Sequence, residues 1–358
     1  MKKILYYSLV DWDWIKQRPQ FLAFGLSEWE FDVRVIYLWQ YRRKNLKKVE
    51  SGAVQLCPIY RFPPLGFRFS WINKINQWLT RRKVAREIRS YQPDVLWLTH
   101  PSQLADVPDS FCGKVVYDCM DDYDVLGTSP DSREEVIRQE QSLCDRADVI
   151  FVSSNLLRKK LCDRNPNKES QIHLVRNGCS GELYPGTTGK HKEKIYAGYV
   201  GTIAQWFDFD IVLKSLERIP ELEYFLIGPV NVKNPPEHDR IHYLGTIAHE
   251  DLFEAVREMD CMVMPFILED IVLSVDPVKL YEYISWQKNI VTVSYPEIQR
   301  FGEFVYQYSN LDEYCAALLQ IGRSDVTSYS EKDARRFLTE NSWKNRVGLI
   351  RDALQKLK

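Results

Sequence analysis

Short runs rich in Val, Ile, Leu and Tyr alternate with longer helix-like segments along this chain, and the alternation runs twice. In the first half, strand-like runs fall at 4–10, 33–38, 95–99, 115–119, 149–153 and 172–175. Helical patterns at 20–29, 71–89, 133–144 and 155–162 separate them. Asn177-Gly178 breaks the pattern, and the stretch up to Lys194 is rich in Gly, Pro, Thr and Lys. The alternation then restarts, with strand-like runs at 195–200, 225–227, 241–244, 261–264, 290–293 and 304–306. Helical patterns at 209–218, 250–259, 277–286 and 311–321 fit between these. Strands alternating with helices call for βαβ units and parallel sheets covered on both faces. The expectation is therefore an α/β chain of two doubly wound parallel-sheet domains, 1–180 and 195–341, joined by a linker at 181–194. Such sheets bind ligands beyond the carboxyl ends of their strands, which places the expected site in a cleft that the two domains face. The final helical stretch, 342–358, follows no strand and is expected to pack back on the first domain.

Length agrees with this division, because 358 residues at roughly 150 per domain make two domains. Hydrophobic residues at 45% and charged residues at 27% exclude a disordered or fibrous chain. No apolar run reaches the 18 or so residues that span a bilayer. The N-terminus goes from Met-Lys-Lys directly into a strand-like run, without the pattern of a signal peptide. None of the 8 cysteines forms a C-x-x-C pair, so neither a zinc site nor a redox dithiol is indicated. The chain reads as cytoplasmic and reduced.

The formal net charge of -1 conceals an asymmetry. Residues 1–180 carry a net +6 and residues 181–358 a net -7. Most of the excess is local: 41–90 holds 13 basic side chains against Glu50 and Glu87. Interleaved with them are Tyr41, Phe62, Phe67, Phe69, Trp71, Trp78 and Tyr91. Basic and aromatic residues together suit a surface that meets anionic headgroups or phosphates. A solvated basic face over core aromatics is the alternative. Nucleic acid is not expected, since no recognition motif accompanies the stretch.

The most informative segment is Asp276-Pro277-Val278-Lys279-Leu280-Tyr281-Glu282-Tyr283. Asp276 is a suitable N-cap and Pro277 a suitable first helical residue. The N–H groups of Val278 and Lys279 then lie at the positive end of a helix, where an anion is favoured. Lys279 adds a point charge for a diphosphate, and Glu282 lies on the same face one turn deeper, placed to accept ribose hydroxyls. On residues alone, a capped helix with an exposed Lys–Glu pair is an equally open reading.

The pattern P-x-K-x-x-E-Y, followed by Asn289-Ile290-Val291-Thr292-Val293, resembles the nucleotide-sugar motif of GT-B glycosyltransferases. The second half adds Gly198-Tyr199-Val200-Gly201, Leu226-Ile227-Gly228-Pro229, Tyr243-Leu244-Gly245 and Met264-Pro265-Phe266. The first half adds Gln17-Arg18-Pro19-Gln20, Tyr117-Asp118-Cys119-Met120-Asp121-Asp122, the run from Ala147 to Ser154, and Val175-Arg176-Asn177-Gly178. The resemblance covers nearly the whole chain in order and is nearest to family-4-like enzymes of teichuronic-acid and related surface-polysaccharide biosynthesis. It implies two Rossmann-like domains, with a UDP-sugar donor in the second. Glu282 would bind the ribose, and Pro277, Val278 and Lys279 at the helix start would hold the diphosphate. The loops after Gly228 and Gly245 would contact the base, while Gly201-Thr202 would let backbone approach the phosphates.

Two departures from the broader retaining pattern stand out. The loop after the first strand of the second domain lacks that pattern's Arg and Lys, reading Thr202-Ile203-Ala204-Gln205-Trp206-Phe207-Asp208. The position eight before Glu282 is Ser274 rather than a second carboxylate. Retention or inversion therefore cannot be carried over from the resemblance.

Glycosyl transfer needs stabilisation of the leaving group, expected here from Lys279 and the helix dipoles. An inverting reaction also needs a general base beside the acceptor hydroxyl. Asp121 and Asp122, adjacent acids at the end of a strand, are the candidates, with a helix cap plus a solvated acid as the alternative. Asp11, Asp13 and Arg18 after the first strand, and His100 after another, are further acceptor-side candidates; surface-turn and structural roles stand against them. No metal site and no cofactor are expected, because no D-x-D is placed to coordinate a metal-diphosphate beside Lys279; Asp11-x-Asp13 lies in the first domain. The expected acceptor is a glycan or lipid-linked glycan, presented where residues 41–90 associate peripherally with the inner face of the cytoplasmic membrane. In that reading Trp71, Ile75, Trp78, Leu79 and Val84 form the docking face. Another GT-B enzyme, such as a nucleotide-sugar epimerase, or a non-catalytic nucleotide-binding module, is the competing reading of function.

Overall fold

The computed structural model describes residues 1–13, 16–39, 52–61, 70–126, 130–186, 193–324 and 326–357. They form two compact units, Met1–Asn177 with Trp343–Lys358, and Gly178–Ser342.

The first unit runs β1 (Lys2–Ser8), α1 (Arg18–Ser27), β2 (Phe31–Leu38), β3 (Gln55–Ile59), α2 (Ser70–Tyr91), β4 (Val95–Leu98), β5 (Lys114–Cys119), α3 (Pro130–Arg146), β6 (Val149–Val152), α4 (Asn155–Arg164) and β7 (Ile172–Leu174). Its seven strands lie in the order β3-β2-β1-β4-β5-β6-β7. All are parallel. Alternation along β1 sends Leu5 and Tyr7 into one core with Val84, Ile88, Leu143 and Leu161. Ile4 and Tyr6 enter the opposite core with Leu22, Leu26, Val347 and Ile350. Burying both faces of a strand in this way is what a parallel sheet requires. Strand β3 was absent from the sequence expectation. It is short, lies at the sheet edge and contains Pro58, which an edge strand tolerates.

The second unit runs β8 (Ile195–Val200), α5 (Phe209–Arg218), β9 (Leu222–Ile227), β10 (Ile241–Gly245), α6 (Leu252–Ala255), β11 (Cys261–Met264), α7 (Asp270–Ser274), α8 (Val278–Ser285), β12 (Asn289–Val293), β13 (Tyr306–Tyr308), α9 (Leu311–Gly322) and α10 (Glu331–Glu340). Its six parallel strands are ordered β10-β9-β8-β11-β12-β13. The expected helix at 250–259 shrinks to α6 with a 3-10 turn at His249–Asp251 before it. The expected strand at 304–306 moves to β13, because a 3-10 segment occupies Pro296–Phe304.

The division between units falls at Asn177/Gly178, ahead of the expected linker. Residues of that linker pack on the second unit instead: the Tyr184 N–H donates to Ser285 O at 2.8 Å, and its ring meets Phe253 at 4.5 Å. Residues 187–192 of the linker lie outside the described residues. The last helix, α11 (Trp343–Gln355), packs against α1, with Trp343 stacked on Phe21 at 4.8 Å.

Strand order reverses between β1 and β4 in one sheet and between β8 and β11 in the other. Loops leaving these pairs diverge and leave a crevice at each carboxyl edge. The candidate residues gather at these two edges.

Candidate functional site

At the second unit's carboxyl edge, the loops leaving β8, β9 and β10 are drawn together through glycine. The Gly201 N–H donates to Ile227 O at 2.9 Å, and the Gly228 N–H to Gly245 O at 2.7 Å. Gly228 has φ +138 and Gly245 φ +70, conformations that L side chains rarely adopt. Bare backbone therefore lines this side of the edge, with Thr202 following Gly201. The Thr202 carbonyl accepts from the Tyr199 hydroxyl at 3.0 Å, which fixes where that loop begins.

Helix α8 starts one residue later than the sequence implies. Pro277 occupies the N-cap position without a side-chain cap, and Val278 is the first helical residue. Asp276 does not cap: it is buried, ion-paired with Arg300 and 3.4 Å from the Tyr281 hydroxyl. Arg300 also donates to that hydroxyl at 2.6 Å, so an Asp–Arg–Tyr cluster anchors the segment leading into the helix. The first-turn N–H groups, which a helix leaves without an intrahelical carbonyl, include those of Val278 and Lys279.

Lys279 Nζ lies 2.8 Å from Glu282 Oε2, and His249 Nε2 lies 3.5 Å from Glu282 Oε1. Burial alone would raise the Glu282 pKa, but Lys279 and then His249 outweigh it and hold the carboxyl below its usual range. The group is thus an ionised acceptor within one helical turn of an anion-favouring helix end. Such a pair can take ribose hydroxyls on one side and phosphate charge on the other. His249 was not singled out from the sequence; its only signal was its position in the loop after Gly245.

At the first unit's carboxyl edge, the candidates separate into different roles. Arg18 is buried, its Nε and Nη2 gripping Asp118 at 2.7–3.1 Å while Nη1 donates to Val175 O at 2.7 Å. It ties the start of α1 to β5 from within and does not line the edge. Asp11 is also buried and accepts from the Asp13 N–H at 3.1 Å, closing the turn after β1. His100 caps the 3-10 turn Pro101–Asp106, its Nδ1 accepting from the Ser102 N–H at 3.1 Å. Burial pushes the His100 pKa down to about 4, so the ring is neutral.

Asp121 and Asp122 part company. Asp122 is buried and accepts from Lys160 at 2.5 Å; Lys160 also pairs with Asp124, which accepts from Arg164 at 2.8 Å. Arg164 continues to Glu140 at 3.1 Å, so the five side chains form one ionic cluster. Burial pushes the Asp122 carboxyl up to about 7, against the pull of Lys160. Asp121 stands outside this cluster and is open to water. The density of protein around its carboxyl still raises its pKa, with Arg18 opposing and Asp118 reinforcing the shift. Among the described residues no group of three His, Cys, Asp or Glu side chains could hold a metal ion.

No family model matches the chain. Its fold is that of sucrose-phosphate synthase from Thermosynechococcus elongatus, at a TM-score of 0.74 and 13% identity over 100% of this chain and 99% of that one. It is also that of Anabaena Alr3699/HepE, solved in complex with UDP, at a TM-score of 0.68 and 13% identity over the whole of both chains. The lipopolysaccharide outer core galactosyltransferase WaaB gives 0.69 at 11% identity, covering 98% of this chain and 99% of that one.

Two parallel-sheet units of this order, with the Lys279–Glu282 helix following β11 in the second, define the GT-B fold. Among individual proteins, the chain is similar to TuaH of Bacillus subtilis (strain 168), named as a glycosyltransferase of teichuronic acid biosynthesis. The two are 24% identical over 360 residues, covering 90% of this chain and 90% of that protein.

Proposed function

We propose that the chain transfers a sugar from UDP to a growing, lipid-linked surface polysaccharide. The observation that carries the donor half is Glu282, ionised and bracketed by Lys279 and His249 one turn into α8. In this reading Glu282 accepts the ribose hydroxyls. The α8 N–H groups and Lys279 meet the diphosphate as the bond from the sugar's anomeric carbon to phosphate breaks. That charge develops in the transition state, so fixed dipoles and a cation there lower the barrier. A new bond forms from the anomeric carbon to an acceptor hydroxyl, and UDP leaves. Asp121 is the group on the acceptor side, where its raised pKa suits it to take the hydroxyl proton if configuration inverts. Lys279 and the helix end stand in place of a metal, so activity is expected to survive EDTA.

A lipid-linked acceptor needs a protein that reaches a membrane, and among the described residues no helix is long and apolar enough to cross one. The reading instead uses α2 for peripheral docking on the anionic inner face of the cytoplasmic membrane. Parts of the basic stretch, 41–51 and 62–69, lie outside the described residues. The test of the donor assignment is calorimetry with UDP and a thermal-shift screen across uridine, guanosine and thymidine nucleotide-sugars. Glu282→Ala should weaken UDP binding by about 1.5–3 kcal/mol, the scale of a hydrogen bond to a charged group. Unchanged UDP affinity in that variant would reject the assignment.

A further inference from the structure

Along the first unit's carboxyl edge the strands end in the order β3, β2, β1, β4, β5. Trp39 directly follows β2, and Tyr60 and Arg61 directly follow β3. The Trp39 N–H donates to Ile59 O at 3.0 Å, which keeps the two chains in step past the ends of their strands. Their rings meet edge to face, 5.4 Å between centroids and 60° between planes. Each fixes the other, yet Trp39 is 37% and Tyr60 60% exposed, and Arg61 beside them is exposed as well. The same unit buries Trp12 and Trp97 almost completely, whereas this pair presents ring surface at the carboxyl edge of the sheet.

A pre-fixed aromatic pair at the ligand-binding edge has a specific chemical use. The face of an aromatic ring is electron-rich and packs against the C–H face of a pyranose, while a guanidinium can meet sugar hydroxyls or carboxylates. We infer that Trp39 and Tyr60, with Arg61, form a saccharide platform that binds the acceptor chain away from the hydroxyl being extended. The inference rests on reading Asp121 as the acceptor-side group. From β5, which leads to Asp121, three strand spacings reach β2 and four reach β3, about 14–19 Å. That span takes several sugar units. His100 and the Asp11–Asp13 turn lie between, after β4 and β1. The platform therefore makes the protein selective for acceptor length: a long chain engages it and a disaccharide does not.

Saturation-transfer NMR with malto- and hyaluronan oligosaccharides, from disaccharide to octasaccharide, tests this directly. The native protein should bind the longer members, and Trp39→Ala/Tyr60→Ala should lose about tenfold in affinity, the value of a stacked aromatic contact. Tyr60→Phe, which keeps the ring, should retain binding. An unaltered length profile in the double variant, or no oligosaccharide binding by the native protein, overturns the platform. Parallel calorimetry with UDP separates the two readings. Oligosaccharide binding without UDP binding would sink the donor assignment and leave the platform standing, and the reverse result would do the opposite.

Discussion

A Cβ placed on Gly228 would fall 2.0 Å from the carbonyl oxygen of Gly201, so the loops leaving β9 and β8 touch backbone to backbone. Gly228→Ala must separate them and also hold alanine at φ +138, a region open essentially to glycine alone. The backbone penalty by itself is about 1–3 kcal/mol. Gly245→Ala is the control, because its Cβ would meet nothing within 4 Å and only the strain of φ +70 remains. Urea unfolding should rank Gly228→Ala as the more destabilised. Equal midpoints would mean that the contact carries no weight.

Asp121 and Asp122 are adjacent in sequence, but their surroundings assign them to different tests. Asp121→Asn should lower turnover roughly 100-fold, the scale of a lost general base, with UDP binding intact. Asp122→Asn should act mainly on stability, since it removes one acid from the cluster held by Lys160 and Arg164. Thermal melts beside initial rates separate the two. A full loss of rate from Asp122→Asn, with Asp121→Asn near normal, would reverse the assignment.

Local patterns gave helix α5 to the residue, because Asp208 caps it and accepts from the Ile211 N–H at 3.0 Å. They gave the Lys279–Glu282 pair because three residues of helix bring the two side chains together. They could not place Arg18. The partner that draws it inward, Asp118, is one hundred residues away, and only the pairing of β1 with β4 and β4 with β5 brings the two into reach. Asp276 failed as a cap for the same reason, being claimed by Arg300 from beyond β12. Long-range ion pairs such as these decide which charged residues face a ligand, and neither periodicity nor motif spacing encodes them.

His100 gives stability a specific dependence on pH. Its folded pKa is about 4, against about 6.5 for an unperturbed histidine. Between those values the unfolded chain binds a proton that the folded one does not, so this group costs stability as pH falls from 6.5 to 4. His100→Asn keeps an acceptor for the Ser102 N–H but removes the titration. Its unfolding free energy should fall less steeply than the native protein's across that window. Parallel curves would show that the ring is not buried in its neutral form.

Helix α2 carries the last expectation. Trp71 and Trp78 are 59% and 53% exposed, with Ile75 and Leu79 also in solvent, so the alternative that both tryptophans are core residues does not hold. Val84, expected on the docking face, is buried with Ile88 in the core beneath the helix. The exposed stripe is therefore Trp71, Ile75, Trp78 and Leu79, with Arg82 packed over the Trp78 ring at 4.6 Å and Lys74 nearby. Three of the helix's cations are partly neutralised within the protein: Lys83 pairs with Glu87 at 2.8 Å, Arg86 with Glu87 at 3.8 Å and Arg81 with Asp106 at 3.7 Å. Each remaining basic residue contributes about 1 kcal/mol near an anionic leaflet, and the tryptophans add apolar burial. Flotation with phosphatidylglycerol vesicles should recover the protein at low salt and progressively less as salt rises. Trp71→Ala/Trp78→Ala should reduce recovery without lowering the melting temperature, since neither ring is in the core. Equal recovery with neutral and anionic vesicles, or no change in the double variant, would remove α2 as the docking element.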